Sequence, residues 1–204
     1  MSDFPRRTFL RGSTAVPLAL LLACGGDDDP APRADTAPRT LPATPACDDG
    51  DEATVEQTEG PYFTPGSPER RSLLESETEG TRLVIAGRVL TTACRPVRRA
   101  LLDFWQADAG GEYDTSGFRL RGHQFTDARG RFSLETVVPG LYPGRTRHVH
   151  VKVQAPRSEV LTTQLYFPGE EGNDGDGLFV PELEMTVRRA GDRQLASFDF
   201  VLAV

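Results

Sequence analysis

The 204-residue chain has 38% hydrophobic and 26% charged residues, a formal net charge of −7 and an isoelectric point near 5.0. This length favours one folded domain of ordinary size. The acidic balance argues against a basic surface for phosphate groups, so we expect no nucleic-acid partner. The 20 glycines and 16 prolines break the apolar residues into short runs, which favours short strands over long helices.

The N-terminus has the pattern of an export signal rather than of a folded element. Arg6 and Arg7 precede an apolar run that ends in LLAC at residues 21–24. The run is too short to span a bilayer permanently, and it resembles a twin-arginine signal with a lipoprotein processing site. We expect residues 1–23 to be removed and Cys24 to carry a lipid. Cleavage without lipid and an uncleaved anchor are the alternatives.

A lipid on Cys24 would hold the exported protein at a membrane, in the periplasm or at the cell surface. Residues 24–54 contain few large apolar side chains and many Pro, Asp, Ala and Thr. Such a segment cannot bury enough surface to offset its ordering entropy, so we interpret it as a flexible tether. The folded domain is expected at residues 55–204.

The chain has three cysteines, which is an odd number for an exported protein. With Cys24 assigned to the lipid, Cys47 and Cys94 are left, and these two can pair in an oxidising compartment. A disulfide between them is one interpretation, and two unpaired thiols are the other.

Short alternating or apolar runs, separated by Gly-rich turns, continue through the rest of the chain. They predict strands at residues 82–90, 100–107, 131–138, 147–155, 162–167 and 195–204. Strands of this length and spacing indicate an all-β fold with little helix, built as a two-sheet antiparallel sandwich.

The fourth predicted strand contains RHVHVKV at residues 147–153, which holds two of the three histidines. If the valines at 149, 151 and 153 face the core, His148 and His150 project together from the opposite face. Two imidazoles in this arrangement can bind one metal ion, although a solvated strand face is the more common outcome for such a pair.

Longer stretches around this strand resemble the intradiol ring-cleavage dioxygenases, and in particular a short, exported branch of that family. The stretches that carry the resemblance are TEGPYF (58–63), DFWQADAGGEYD (103–114), residues 120–153 and TTQLYFPG (162–169). The resemblance implies a transthyretin-like (prealbumin-like) sandwich that opens catechols with O₂ at a non-haem ferric ion. The implied product is a muconate-type dicarboxylate.

The resemblance also implies the metal ligands, which are Tyr113, Tyr142, His148 and His150. Phenolates are hard anionic donors, and two of them with two neutral imidazoles stabilise Fe(III). Bound iron would act as a Lewis acid toward the catechol. Tyr142 is the ligand expected to leave the iron and take up a proton when substrate binds, whereas Tyr113 stays bound.

Further residues take roles by the same resemblance. Arg145 is expected to stabilise negative charge on the substrate, a role suited to a group that keeps its own charge, and Arg147 is the competing candidate. Gln164 is expected to lie near the substrate. Apart from the resemblance, Tyr62 is interpreted as lining the substrate cavity, with a rigid turn around Pro61 as the alternative. Trp105 is assigned to the same pocket, although a packing role fits it as well.

Two other features are interpreted as lying outside the ligand set. His123 is expected near the site without binding the metal, and NDGDG at residues 173–177 lacks the spacing of a calcium loop and is expected to be a solvated loop. Two alternatives to the enzyme stay open at this point. One is an inactive transthyretin-like binding module, and the other is a metal-binding lipoprotein without turnover.

Overall fold

The computed structural model of the protein describes residues 52–204. The predicted signal and nearly all of the tether, with Cys24 and Cys47, lie outside the described residues and stay predictions. Cys94 is disulfide-bonded, but the predicted pairing with Cys47 cannot be followed within this range. Among residues 52–204, no helix is long and apolar enough to cross a membrane.

Nine strands make up the described domain, and they confirm the predicted all-β class. The strands are β1 (Arg82–Thr91), β2 (Leu101–Trp105), β3 (Arg121–Phe125), β4 (Arg131–Val137), β5 (His148–Gln154), β6 (Val160–Tyr166), β7 (Thr186–Ala190), β8 (Arg193–Ser197) and β9 (Phe200–Leu202). The only helical pieces in this part of the chain are two 3₁₀ turns, Asn173–Gly175 and Pro181–Leu183.

The strands form two sheets that face each other across one core. One sheet has the order β4-β1-β8-β7, with β9 also paired to β1, and the other has the order β3-β2-β5-β6. Leu83 and Ile85 of β1 and Val149 and Val151 of β5 are all at most 1% exposed and belong to the same core. This confirms the predicted sandwich.

The larger sheet is not wholly antiparallel, because β1 pairs in parallel with both β8 and β9. The prediction of one strand at 195–204 is wrong, since the chain leaves β8 after Ser197 and resumes pairing at Phe200. Sequence patterning also missed β3 and β7. Their residues, RGHQF and TVRRA, are too polar to show an apolar period.

β5 has the alternation that its sequence predicts. Val149, Val151 and Val153 are fully buried in the core. His148 and His150 project from the other face, yet they are only 4% and 3% exposed. They are therefore covered by other parts of the chain rather than by solvent, and this cover forms the candidate site.

Candidate metal centre

The four predicted ligands come together from three segments of the chain. Tyr113 lies on the loop that follows β2, Tyr142 lies on the loop between β4 and β5, and the two histidines begin β5. β5 is hydrogen-bonded to β2 on one side and to β6 on the other, so the backbone of His150 is paired on both sides, while that of His148 is paired with β6.

Glycines let the two tyrosine-bearing loops touch. A Cβ on Gly140 would lie 2.3 Å from the amide nitrogen of Gly111, and a Cβ on Gly111 would lie 2.2 Å from the carbonyl oxygen of Leu141. Both distances are too short for any side chain, so the glycines of GGEY and PGLYPG permit backbone contact between the loops. This contact brings Tyr113 and Tyr142 to the same face of the sheet.

Three of the predicted donor atoms converge. The Tyr113 hydroxyl lies 3.0 Å from His148 Nε2, and His148 Nε2 lies 3.2 Å from His150 Nε2. No three His, Cys, Asp or Glu side chains gather as a metal site among residues 52–204. The phenol oxygen of Tyr113, next to this histidine pair, is the neighbouring candidate for a further ligand.

The protonation of His148 suits metal binding. Its Nδ1 lies 2.7 Å from the carbonyl oxygen of Thr146, which can only accept a hydrogen bond. Nδ1 therefore carries the proton, and Nε2 presents its lone pair to the cluster. Burial lowers the pKa of His148 to about 4, and burial together with the neighbouring His148 lowers the pKa of His150 as well. Both rings are neutral at ordinary pH, as metal ligands must be.

Ionisation of the two phenols would require a nearby cation. Burial raises the pKa of Tyr113 above its ordinary value, so the isolated side chain stays protonated. A bound cation favours the phenolate by direct attraction. Two neutral imidazoles and two ionisable phenols form a donor set that suits a hard trivalent ion, and the residues therefore fit Fe(III).

Tyr142 is turned toward Tyr62 rather than toward the histidines. The two hydroxyl oxygens are 2.9 Å apart, and the rings meet edge to face. Tyr62 in turn stacks on Tyr113, with ring centroids 4.5 Å apart and 11° between the planes. Tyr62, predicted to line the cavity, thus contacts both predicted tyrosine ligands.

Trp105 and Gly60 enclose His150. The indole is 1% exposed and stacks on the imidazole, with centroids 4.8 Å apart, while Phe63 packs against its edge. A Cβ on Gly60 would lie 3.4 Å from the imidazole Cε1. These contacts favour the packing role for Trp105, in which it holds the ring of a candidate ligand, over direct stacking on substrate.

The two candidate arginines point to different partners. Arg145 Nη2 donates to Gln164 Oε1 at 2.7 Å and lies 3.4 Å from the Tyr166 hydroxyl. Arg147 Nε instead pairs with Glu170 at 2.8 Å, and its Nη1 donates to the carbonyl of Pro139. Arg145 is therefore linked to the other predicted pocket residue, Gln164, whereas Arg147 braces the loop that carries Tyr142.

His123 is engaged elsewhere in the sheet. It lies on β3, and its Nδ1 is 2.8 Å from the carbonyl oxygen of Ser67 and 3.2 Å from the Ser67 hydroxyl. That hydroxyl donates to Asp103 at 2.7 Å. His123 thus belongs to a hydrogen-bond network with Ser67 and Asp103 that supports the fold.

Sequence reasoning missed Arg121, which is 2% exposed. Its guanidinium donates to the carbonyl oxygens of Tyr62 and Asp114, each at 2.6 Å. It thereby joins the segment before β1 to the loop of Tyr113. A charged residue in the sequence RGHQF gave no signal of burial, because arginine is mostly found exposed.

The prediction of a solvated loop at NDGDG is wrong for two of its five residues, whereas Asp174, Gly175 and Gly177 are exposed. Asn173 and Asp176 are only 7% and 8% exposed, and both hold residues next to the site rather than facing solvent. The Thr146 hydroxyl donates to Asn173 Oδ1 at 2.6 Å, and Arg145 pairs with Asp176. Polar residue types suggested exposure, but Asp176 is satisfied by the Thr146 amide and Arg145, and Asn173 by the Thr146 hydroxyl and the carbonyl oxygen of Phe167.

The family model described as "Dioxygenase" matches residues 58–202, which include all four donors. The chain belongs to the intradiol ring-cleavage dioxygenase family. All nine strands of the described domain lie within the matched residues. The predicted resemblance is thus confirmed at the level of the family.

Solved intradiol dioxygenases share this fold. The dioxygenase domain of a dioxygenase and carbohydrate-binding protein fusion from Streptomyces sp. SirexAA-E is 60% identical, with a TM-score of 0.74 over 75% of this chain and 99% of that chain. The 3-chlorocatechol 1,2-dioxygenase of Rhodococcus opacus 1CP is 31% identical, with a TM-score of 0.68 over 74% of this chain and 72% of that chain.

Curated relatives match over a shorter share of their length. The protocatechuate 3,4-dioxygenase beta chain of Burkholderia cepacia is 32% identical over 63% of this chain and 61% of its own. The 6-chlorohydroxyquinol 1,2-dioxygenase of Cupriavidus pinatubonensis is 29% identical over 70% of this chain and 62% of its own. The chain thus spans about three fifths of these relatives.

Proposed function

We propose that this protein is an Fe(III)-dependent dioxygenase that cleaves a catechol-type aromatic ring between its two hydroxyl-bearing carbons. The observation that carries the proposal is the convergence of the Tyr113 hydroxyl, His148 Nε2 and His150 Nε2, at 3.0 and 3.2 Å, in a chain of this family. The names of relatives that act on catechol, protocatechuate and hydroxyquinol support the substrate class.

The reaction balances with O₂ alone. Cleavage turns each of two hydroxyl-bearing carbons into a carboxyl carbon, so each carbon gains one oxygen atom of O₂. The catechol itself is the reductant, and no second reductant is needed. When bound, iron supplies a Lewis acid that polarises the catechol oxygens and makes their ionisation favourable. The side chains described below bind and orient the substrate and handle its protons.

Tyr142 serves as the internal base. It lies on a loop, where it can move at lower cost than a residue in a β-ladder. Its hydroxyl already bonds to Tyr62 at 2.9 Å, so the phenol has a hydrogen-bonding partner away from the histidines. As a phenolate it accepts a proton that the catechol releases, and Tyr62 holds the resulting phenol.

We assign Arg145 and Gln164, which are joined by a hydrogen bond, to the polar side of the substrate site. Gln164 is fully buried, and its Nε2 donates to the carbonyl of Thr58 at 3.2 Å, which fixes the side chain. The oxygen of the same amide receives Arg145 Nη2. The guanidinium keeps its charge in all states of the reaction and stabilises negative charge that develops on the ring.

The protein acts at a membrane outside the cytoplasm. This part of the proposal rests on the sequence of residues 1–24, in which an arginine pair precedes an apolar run that ends in Cys24. A twin-arginine route carries folded proteins, which suits a chain whose ligands come from three segments of a finished sandwich.

The test combines iron content with oxygen uptake. Protein loaded with Fe(III) is assayed with catechol, protocatechuate, hydroxyquinol and chlorocatechols, and the product of the reaction with isotopically labelled O₂ is analysed by mass spectrometry. We expect one iron per chain and both labels in a ring-opened dicarboxylate. Bound iron without oxygen uptake on any substrate would favour a metal-binding lipoprotein. A failure to bind iron would favour a binding module.

A further inference from the structure

The loop of residues 172–178 contains a carboxylate that is turned inward. The Asp176 side chain is only 2% exposed, and it accepts hydrogen bonds from three groups. Its Oδ2 receives Arg145 Nε at 2.8 Å and the backbone amide of Thr146 at 2.8 Å. Its Oδ1 receives the backbone amide of Leu178 at 2.9 Å and lies 3.1 Å from Arg145 Nε.

The first consequence concerns the direction of Arg145. A free arginine side chain has many rotamers, and ordering it costs about 1.5–2 kcal/mol. Asp176 binds the Nε side of the guanidinium, which leaves Nη2 directed at Gln164 Oε1, 2.7 Å away. Because the guanidinium is planar and rigid, fixing one edge fixes the other. Asp176 therefore sets the orientation of the charge that faces the pocket.

The second consequence concerns His148. Asp176 holds the amide of Thr146, and Asn173 of the same loop holds the Thr146 hydroxyl at 2.6 Å. The Thr146 carbonyl then accepts the proton of His148 Nδ1 at 2.7 Å, which selects the tautomer whose Nε2 lone pair faces the cluster. A carboxylate that anchors Thr146 thus acts on His148 through one residue.

We propose that Asp176 is a positioning residue that couples the charge-stabilising arginine to a metal-binding histidine. The inference rests on the proposed function of the site. Asp176 acts through Arg145 and Thr146, and its replacement should disturb the pocket charge and the His148 ring together. The loop of residues 172–178 would then form the outer wall of the active site.

Asp176→Asn is the main test, because asparagine keeps the shape while its amide group opposes one of the N–H donors. In the full chain, we expect kcat per bound iron to fall by about 10–100-fold, and the affinity for iron to fall because part of the population would hold the wrong His148 tautomer. In the metal-free protein, nitrogen NMR of histidine should show His148 as a single Nδ1–H tautomer in the wild type and as a tautomer mixture in the variant.

Asp199→Asn is the matched control, since Asp199 is a partly buried carboxylate that accepts the backbone amide of Arg88 at 2.7 Å on the other sheet. It should leave both kcat and the His148 tautomer as in the wild type. Asp176→Asn in an Arg145→Gln background should cost less than it does alone, because its effect passes partly through that arginine.

The proposal is overturned if Asp176→Asn matches Asp199→Asn in both turnover and His148 tautomer. If Asp176→Asn does not fold, the same measurements are made on Asp176→Glu, which keeps the charge but moves it by one methylene. Wild-type behaviour of that variant would also overturn the proposal. The tautomer measurement needs no iron and no substrate, so it tests the inference even if the wild type proves to have no dioxygenase activity.

Discussion

Trp105 lies flat against His150, with 8° between the ring planes and 4.8 Å between their centroids. The two residues are also cross-strand neighbours on β2 and β5. The indole therefore limits the rotation of a candidate metal ligand whose Nδ1 makes no hydrogen bond with the described residues.

Trp105→Phe should weaken iron binding as well as lower the stability of the fold. Phe104→Leu is its control, because Phe104 is the preceding residue of β2, is fully buried and packs on Phe132 in the core. Each change should cost on the order of 1–3 kcal/mol in urea unfolding of the metal-free protein. Only Trp105→Phe should lower the affinity for iron; equal iron affinity in the two variants would mean that the stacking does not serve the site.

Gly60→Ala should place a methyl group in van der Waals contact with His150 and strain the backbone beside the ring. The backbone at Gly60 has φ +71°, and its added Cβ would meet the imidazole at 3.4 Å. Gly191→Ala shares the strain without the contact, since Gly191 has φ +67° and open space around it. Both variants should lose about 1–2 kcal/mol of stability. We expect only Gly60→Ala to shift the visible spectrum of the iron-loaded protein.

The two predicted tyrosine ligands should respond differently to loss of the hydroxyl. Tyr113→Phe removes the group 3.0 Å from His148 Nε2, so iron content and the phenolate-to-iron band should both fall. Tyr142→Phe removes a group that bonds to Tyr62, so much of the iron should stay while turnover is lost with the internal base. Iron per chain, visible spectra and oxygen uptake are compared under the same loading conditions. Identical iron loss and identical spectra in both variants would contradict this division of roles.

Asp176 also gives a pH dependence to stability. Burial disfavours its charge, but amide donors of Leu178 and Thr146 and the pairing with Arg145 outweigh burial and hold its pKa below the ordinary 3.8. The unfolded chain therefore binds the proton first as the pH falls. The stabilisation from Asp176 is fully present above the ordinary pKa of the unfolded chain. It is lost as the pH falls through the lower pKa of the folded protein. The gap in Tm between the metal-free wild type and Asp176→Asn should thus narrow on acidification, and a constant gap would rule out this linkage.

Export and anchoring can be separated by two sets of variants. Arg6→Lys with Arg7→Lys should block export, because the paired arginines are the expected signal for the route. Cys24→Ser should leave export intact and release the protein from the membrane fraction. Cell fractionation with immunodetection distinguishes these outcomes. Retention of the serine variant in the membrane fraction would show that another feature anchors the chain.

The sandwich could be predicted from the sequence, and three of the four candidate donors lie close together, but the contacts that hold them could not be predicted. The His-x-His alternation in β5 could be recognised because the neighbouring valines alternate with the histidines at the two-residue period of a strand. Tyr113 and Tyr142 were identified only by resemblance, since no local pattern brings two loops about thirty residues apart together. The contact of Gly111 with Gly140 does so, and it is a tertiary feature.

The inward-facing charges escaped prediction for a different reason. Arg121 and Asp176 look like surface residues by type, and each is buried because distant backbone groups satisfy it. Such pairing joins positions 59 and 30 residues apart, so it leaves no trace in a short window of sequence. Residues of this kind surround the ligands, and for that reason the support of the site was less predictable than the site itself.

The interior position of β5 in its sheet affects how iron would leave and rebind. β2 and β6 cover both edges of the histidine strand, whereas both tyrosines lie on loops. Loops open locally at a smaller free-energy cost than a strand that is paired on both edges. A chelator should therefore remove iron by capturing states with open loops, at a rate unrelated to that of global unfolding. The emptied protein would keep its histidine pair in register and accept a new ion without refolding.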